Sequence, residues 1–152
     1  MIVRSAREGD LPGILAIYRH LHPDDPAMEI TKAERTWATM IGSGFMTVVV
    51  AEHEQSVVAS CTLAIIPNLT RGGRPYAVIE NVVTHLEYRR MRLGRRVLAY
   101  AVEVARKADC YKVTLATGSR QESTLRFYEG AGFERGGKTY FEMRGCGEDA
   151  AG

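Results

Sequence analysis

The chain has little of what several large classes of protein require. Its 152 residues include only three cysteines, Cys61, Cys110 and Cys146, which fit a reducing, intracellular compartment rather than a disulfide-rich secreted domain. No apolar run approaches the roughly 18 residues of a membrane-spanning helix. The first residues, a strand-like IVR followed by charge, do not form a signal peptide. We therefore expect a cytoplasmic protein that does not enter a membrane.

The chain also has a small net charge and no residues at metal-ligand spacing. Twenty Lys and Arg against 18 Asp and Glu give a formal net charge of +2 at pH 7, which is too small to indicate a nucleic-acid partner. The histidines, His20, His22, His53 and His85, show no metal-ligand spacing with the cysteines. No glycine-rich stretch is followed by the Lys-Ser/Thr of an NTP-binding loop. We expect neither a bound metal nor a nucleic-acid partner.

What is present is the composition of an ordinary folded domain. The 45% hydrophobic and 25% charged fractions are typical of globular proteins, and the length suits one domain. We predict a single domain over residues 1–144 and a disordered polar tail over 145–152. Apolar periodicity and turn residues predict these elements in order: a strand at 2–6, helices from 11 and 31, strands at 46–52, 56–66 and 76–84, a helix at 93–108, a strand at 111–116, a helix at 121–129, and a hairpin from 133–135 and 139–144.

The turn between the third consecutive strand and the helix that follows is unusually basic. It reads YRRMRLGRR, and five arginines lie among the eight residues from Arg89 to Arg96. A helix N-terminus presents unpaired backbone N–H groups and the positive end of the helix dipole, and guanidinium groups suit phosphates. We expect this turn to bind a phosphate-bearing ligand. A solvated basic face and a nucleic-acid patch are the alternatives.

The order of elements and two motifs resemble the GNAT superfamily of acyl-CoA-dependent N-acyltransferases. The superfamily's Arg/Gln-x-x-Gly-x-Gly/Ala signature at a strand-to-helix turn is similar to Arg89–Gly94, with Arg92 in place of the first glycine. Its aromatic-Tyr pair followed by Gly-Phe is similar to the FYEGAGF run at Phe127–Phe133. The resemblance covers about residues 2–144. It implies an α/β GNAT fold with a central mixed, twisted sheet of six to seven strands flanked by about four helices.

Within the superfamily, the runs IENVVT, CYKVTL and FYEGAGF resemble small-molecule acetyltransferases, including the glucosamine-6-phosphate N-acetyltransferases. The likeness ends after the second run, where that group has an acidic residue and this chain reads ATGS from Ala116. The resemblance implies transfer of the acetyl group of acetyl-CoA directly to a primary amine of a small molecule, in a ternary complex. The alternative is a nonenzymatic CoA-binding sensor or interaction module of the same fold. A homodimer is implied by the resemblance alone.

The resemblance also implies which residues hold acetyl-CoA. The end of the third consecutive strand would pair with the pantetheine amides, and the basic turn would bind the pyrophosphate. Gln121 occupies the place of an asparagine that usually precedes the motif tyrosine. The implied cofactor-binding residues are Val82, Val83, Thr84, Arg89, Arg90, Met91, Arg92, Leu93, Gly94, Arg95 and Gln121.

Tyr128 is the candidate general acid. It is the tyrosine of the FYEGAGF motif, and a phenol with a pKa near 10 is a suitable proton donor to a leaving alkyl thiolate. The alternative is a core tyrosine on the inner face of a short helix. No Cys-His-Asp arrangement indicates covalent catalysis, so the sequence favours direct attack by the amine.

Glu80 is the candidate general base, acting through water. It is the only carboxylate in an otherwise apolar strand, where it needs either a partner or a raised pKa. Strand alternation places Glu80 on the face shared with Val82 and Thr84. The alternative is a salt bridge to a neighbouring arginine, and His85 is the rival base. Asn81 is the candidate substrate-orienting residue.

Overall fold

A mixed β-sheet forms the centre of the first of two structural units. The computed structural model describes residues 1–146, and the chain divides into the units Met1–Leu115 and Ala116–Gly152. The predicted disordered tail lies outside the described residues from 147 onward. The sheet strands all lie in the first unit: β1 (Ile2–Ser5), β2 (Met46–His53), β3 (Ser56–Ile66), β4 (Tyr76–Thr84) and β5 (Val113–Leu115). They lie in the order β1-β2-β3-β4-β5, antiparallel up to β4, with β4 and β5 parallel.

The described part of the chain contains four α-helices, as predicted. They are α1 (Leu11–Leu21), α2 (Ile30–Gly42) and α3 (Leu93–Lys107) in the first unit, and α4 (Glu122–Gly130) in the second. The apolar residues of α3 recur every three or four positions, so they lie on one buried face. This α3 connects β4 to β5 and allows the two strands to run parallel.

The helices of the first unit cover both faces of the sheet. Cys61 of β3 contacts α3, with its Sγ 3.6 Å from the Val97 carbonyl oxygen. Because successive side chains of a strand alternate between faces, the neighbours of Cys61 point the other way, towards α1 and α2. That second face carries a buried apolar cluster of Ile14, Trp37, Val48 and Val50. Fully burying a side chain of this kind contributes roughly 1.5–3 kcal/mol.

An ionic network fixes the start of α1 to the sheet. The carboxylate of Asp10 accepts hydrogen bonds from Arg4 Nη1 at 2.7 Å and Nη2 at 2.9 Å, and from the backbone N–H of Arg7 at 2.8 Å. Arg4 also donates to Glu52 of β2 at 2.7 Å. Hydrogen bonding to Arg4 lowers the pKa of Asp10 and outweighs the opposing effect of burial. This network joins β1, β2 and the first turn of α1.

The prediction of six to seven strands is wrong, because the sheet formed by residues 1–146 has five. The expected hairpin from 133–135 and 139–144 does not form within the described part of the second unit. A two-stranded hairpin is marginal unless an apolar face is packed, whereas Phe141 and Met143 are 87% and 84% exposed. β5 is likewise shorter than predicted.

Candidate active site

The first feature of the site is an unpaired edge of β4. This strand runs from Tyr76 to Thr84, but its pairing with β5 covers only Ala77–Ile79. Across residues 1–146, no other strand pairs with that edge over residues 80–84, which we call the open edge. The open edge is about 13 Å long at the usual rise of a strand. Its peptide groups can therefore form β-type hydrogen bonds with an extended, amide-containing ligand.

A β-bulge lies within the open edge. The single residue Cys61 of β3 faces two residues of β4, Asn81 and Val82, where the register between the strands shifts. Asn81 has a φ of 53°, in the left-handed region that asparagine adopts more readily than most residues. Its side chain is exposed. The bulge bends β4 and turns its peptide groups away from a regular ladder, as bulges near active sites often do.

The bulge changes the face on which Glu80 lies. Unbroken alternation predicts that Glu80 shares a face with Val82 and Thr84, and this prediction is wrong. Because one residue is added to β4, Glu80 instead shares its face with Val83, since their partners in β3 lie two residues apart. That face is directed towards α1. Thr84 lies on the opposite face, towards α3.

The surroundings of the two candidate bases differ. Glu80 is exposed and forms no ion pair within residues 1–146, so the predicted alternative of a salt bridge is not observed there. His85 has its Nδ1 occupied, because this atom accepts a hydrogen bond from the backbone N–H of Glu87 at 3.2 Å. Its ring also lies 4.2 Å from that of His20, between centroids. A neutral imidazole has one acceptor nitrogen, so this geometry favours Glu80 over His85 as the base.

Three buried hydroxyls, which were not predicted from the sequence, lie close to the bulge. They belong to Tyr18 of α1 and to Ser60 and Thr62 of β3, and we call them the hydroxyl cluster. None has a hydrogen-bond partner among the described residues. Burial raises the pKa of Tyr18, and its interactions with the side chains of Thr62 and Asn81 partly oppose this rise. The available signal was two polar residues spaced by two in an otherwise apolar strand.

The second feature of the site is the start of α3. Arg92 precedes the helix in a left-handed conformation, with φ of 59° and ψ of 18°. The first helical hydrogen bond runs from the N–H of Arg96 to the Arg92 carbonyl at 3.1 Å. The N–H groups of Leu93 and Gly94 precede that bond, so they have no partner within the helix. They form the positive end of the helix dipole, which attracts anions.

Unneutralised charge surrounds this helix start. We call residues 89–92 the arginine loop; it follows a 3-10 turn at Leu86–Tyr88. The side chains of the loop are exposed. Within the described residues, Arg89, Arg90, Arg92 and Arg96 form no ion pair. Because these guanidinium groups lack carboxylate partners there, they are available to a phosphate-bearing ligand.

The second unit contains the other two predicted site residues. Tyr128 lies half-buried on α4, and its ring packs edge-on against Phe127 with 5.0 Å between centroids. Gln121 is exposed and directly precedes α4. Its carbonyl accepts the N–H of Thr124 at 3.0 Å and of Leu125 at 3.2 Å, which begins the helix. The roles of Tyr128 as an acid and Gln121 as a cofactor ligand stay predictions.

Neither a metal-binding cluster nor a membrane-spanning helix occurs among the described residues. No group of three or more His, Cys, Asp or Glu side chains within residues 1–146 is arranged to hold a metal ion. Every helix in the same part of the chain is too short or too polar to cross a membrane.

Comparison with known proteins gives a consistent family. Residues 14–133 match the Acetyltransferase (GNAT) family. A glucosamine 6-phosphate N-acetyltransferase of Trypanosoma brucei brucei is 34% identical over 133 residues, which are 86% of this chain and 87% of that protein. A solved structure from Agrobacterium tumefaciens str. C58, provisionally named an acetyltransferase, is 44% identical with a TM-score of 0.90, covering 95% of this chain and 99% of the other. A Trypanosoma brucei acetyltransferase structure is 32% identical with a TM-score of 0.77, covering 94% and 96%.

Proposed function

The chain belongs to the GNAT family of acetyltransferases and is itself an acetyltransferase, and we propose that it transfers the acetyl group of acetyl-CoA directly to a primary amine of a small molecule. The main observation that supports this proposal is that the open edge of β4 is followed by the arginine loop and the start of α3. One end of this path offers peptide groups, and the other offers unpaired N–H groups and guanidinium groups. Acetyl-CoA has the matching chemistry, with amides along its pantetheine arm and a pyrophosphate beyond them.

The residues of this path divide the binding between them. Val82, Val83 and Thr84 would pair through their peptide groups with the pantetheine amides. The backbone of residues 90–95 would bind the pyrophosphate at the helix start, with Arg89 adding charge. In the second unit, Gln121 would add an amide contact.

The chemistry needs one proton acceptor and one proton donor. Glu80, through a water molecule, takes a proton from the acceptor's ammonium group and leaves a nucleophilic amine. The amine nitrogen then forms a bond to the thioester carbonyl carbon, and the carbon–sulfur bond breaks. A backbone N–H of residues 82–84 would stabilise the negative charge that develops on the carbonyl oxygen. Tyr128 donates its phenolic proton to the leaving thiolate, and the nitrogen releases its second proton as the neutral amide forms, which restores the phenol.

Direct transfer in a ternary complex is favoured by the state of the buried cysteine. Cys61 is fully buried, and burial raises the pKa of its thiol to about 12. A thiol that stays protonated is a poor nucleophile, so Cys61 does not suit an acyl-enzyme step. This favours the amine of the acceptor over Cys61 as the nucleophile that attacks the thioester.

Transfer to an acceptor distinguishes this proposal from a nonenzymatic CoA-binding module. Release of the CoA thiol would be followed with an amine panel that includes glucosamine 6-phosphate, the substrate in the name of the Trypanosoma relative, other amino sugars, polyamines and lysine peptides. Acetylation of at least one small amine is expected. Binding of acetyl-CoA with no acetylation across the panel would overturn the proposed function.

The catalytic roles need their own variants. Glu80→Gln and Tyr128→Phe should each lower kcat roughly a hundredfold or more, the usual size of general acid–base effects. Glu87→Gln and Tyr100→Phe are matched controls on exposed or half-exposed residues and should keep full activity. Full turnover in both Glu80→Gln and Tyr128→Phe would refute the two catalytic roles.

We also propose a cytoplasmic location and a homodimer. The three cysteines are free in the structure, as a reducing compartment would keep them. Light scattering on the purified protein would measure its mass in solution, and a mass of one chain would refute the dimer.

A further inference from the structure

The hydroxyl cluster is an unusual feature of an otherwise apolar layer. Ser60 and Thr62 are 0% and 5% exposed, and the Oη atom of Tyr18 is also buried. Within residues 1–146, none of the three hydroxyls has a hydrogen-bond partner. Buried polar groups are normally paired, since an unpaired one costs free energy. Three such groups on one face of the sheet leave hydrogen-bonding capacity that a ligand or a water molecule can take up.

The strand register explains why the hydroxyls lie together. Ser60 pairs with Val50 and Thr62 pairs with Val48, so all four side chains share the face directed towards α1. Both valines belong to the apolar cluster, and Tyr18 packs against that cluster. A valine at position 62 would fit this layer without a polar group, so the hydroxyl is not needed for packing.

Asn81 connects this cluster to the surface. Its side chain is exposed, yet it interacts with the phenol of Tyr18. Asn81 is also the left-handed residue of the bulge, with φ of 53°. Thr62 approaches the same phenol and lies directly opposite Glu80 in the register. The phenol thus lies between the buried hydroxyl of Thr62 and the exposed amide of Asn81.

We propose that Tyr18 is a positioning residue for the acceptor amine: when the acceptor binds, the phenol, which is unpaired in the free protein and lies beside the Thr62 hydroxyl, donates a hydrogen bond to the Asn81 carboxamide and fixes the orientation in which that side chain binds the acceptor. This inference rests on the proposed function and adds residues of α1 and β3 to the site. Burial raises the pKa of Tyr18, so the phenol stays a neutral hydrogen-bond donor at physiological pH. An acceptor that binds Asn81 completes the polar contacts of the cluster from the solvent side.

The test is the variant Tyr18→Phe, which removes one hydroxyl and keeps the ring. The KM of the acceptor should rise roughly three- to tenfold, the loss expected for one hydrogen bond. The KM of acetyl-CoA should stay unchanged and the melting temperature should not fall, because the removed hydroxyl has no hydrogen-bond partner in the free protein. Thr62→Val should produce the same pattern. Tyr100→Phe is the matched control, since its hydroxyl lies 3.2 Å from Ser5 Oγ beside β1, and it should change nothing.

A double variant tests whether Tyr18 acts through Asn81. If it does, Tyr18→Phe adds no further loss to Asn81→Ala, because the two changes remove one interaction. The side-chain amide resonances of Asn81 in a nitrogen-15 NMR spectrum provide a readout without turnover. They should shift in Tyr18→Phe and stay in place in Tyr100→Phe.

The outcomes separate this inference from the proposed function. If the wild type acetylates an amine while Tyr18→Phe keeps both the acceptor KM and the Asn81 resonances, the inference is refuted and the function stands. A fall in melting temperature with equal losses for both substrates would assign Tyr18 a purely structural role and refute the inference as well. If the wild type acetylates no amine, the proposed function fails and the inference fails with it.

Discussion

Arg92 is held in a conformation that suits glycine, and two substitutions can isolate this effect. The residue has φ of 59° immediately before α3. Arg92→Gly and Arg92→Ala both remove the guanidinium group, so they lose the same charge. They differ only at the backbone, because alanine keeps a Cβ and glycine does not. We predict that Arg92→Gly is the more stable of the two variants.

The magnitude follows from two opposing effects. A residue with a Cβ pays roughly 1–2 kcal/mol in the left-handed conformation. Glycine avoids this cost but loses about 0.5–1 kcal/mol more conformational entropy on folding. The net difference in the free energy of unfolding is therefore about 1 kcal/mol in favour of glycine. For a protein of this size, that corresponds to a melting temperature about 2–4 °C higher.

Urea unfolding and thermal melts of the two variants would measure the difference directly. Titration with acetyl-CoA should also show binding by Arg92→Gly at least as tight as by Arg92→Ala, because glycine lets a phosphate approach the backbone. Equal stability, or greater stability of Arg92→Ala, would show that position 92 carries no backbone strain and would refute the reasoning. If both variants were less stable than the wild type by the same amount, that refuting result would also assign the loss to the missing side chain.

Further predictions concern the ionic network and two helical glycines. Asp10→Asn should lower the free energy of unfolding by about 2 kcal/mol at pH 7, because it weakens charged hydrogen bonds to Arg4. Hydrogen bonding to Arg4 lowers the folded-state pKa of Asp10. This stabilisation is therefore present above the unfolded pKa of about 4 and is lost as the pH falls through the folded pKa. A difference in the free energy of unfolding between Asp10→Asn and the wild type that is as large at pH 3 as at pH 7 would contradict this. Gly13→Ala should destabilise by about 1–3 kcal/mol, because its Cβ would lie 2.8 Å from Val57 Cγ2. Gly42→Ala, with no heavy atom within 4 Å of the new Cβ, should be neutral or stabilising by up to about 1 kcal/mol. The melting temperatures of the two variants should therefore shift in opposite directions or by clearly different amounts.

The central elements could be predicted because their local patterns are strong. β3 and β4 have the predicted bounds, and α3 begins at the predicted Leu93, since apolar β-branched runs and a helical apolar stripe identify them. The bulge could not be predicted in this way, because it depends on the register between β3 and β4. One extra residue at Asn81 was enough to place Glu80 on a different face from that expected.

The hydroxyl cluster and the last hairpin show the same limit. Tyr18 meets Thr62 and Asn81 only after α1 has packed on the sheet, and no short-range pattern connects positions so far apart in sequence. The hairpin was expected from the runs 133–135 and 139–144 between punctuating glycines, but such a hairpin is stable only where an apolar face is packed, and the Phe141 side chain is 87% exposed.

Calorimetric titration with acetyl-CoA tests most directly whether the open edge and the arginine loop form the acetyl-CoA site. The wild type should bind in the micromolar range. Arg89→Glu should weaken binding roughly tenfold or more, because it replaces a phosphate-binding charge with a repelling one. Arg35→Glu makes the same charge change at an exposed position of α2 and should bind like the wild type. Equal affinity in all three proteins, or no binding by any of them, would contradict the assignment of this site.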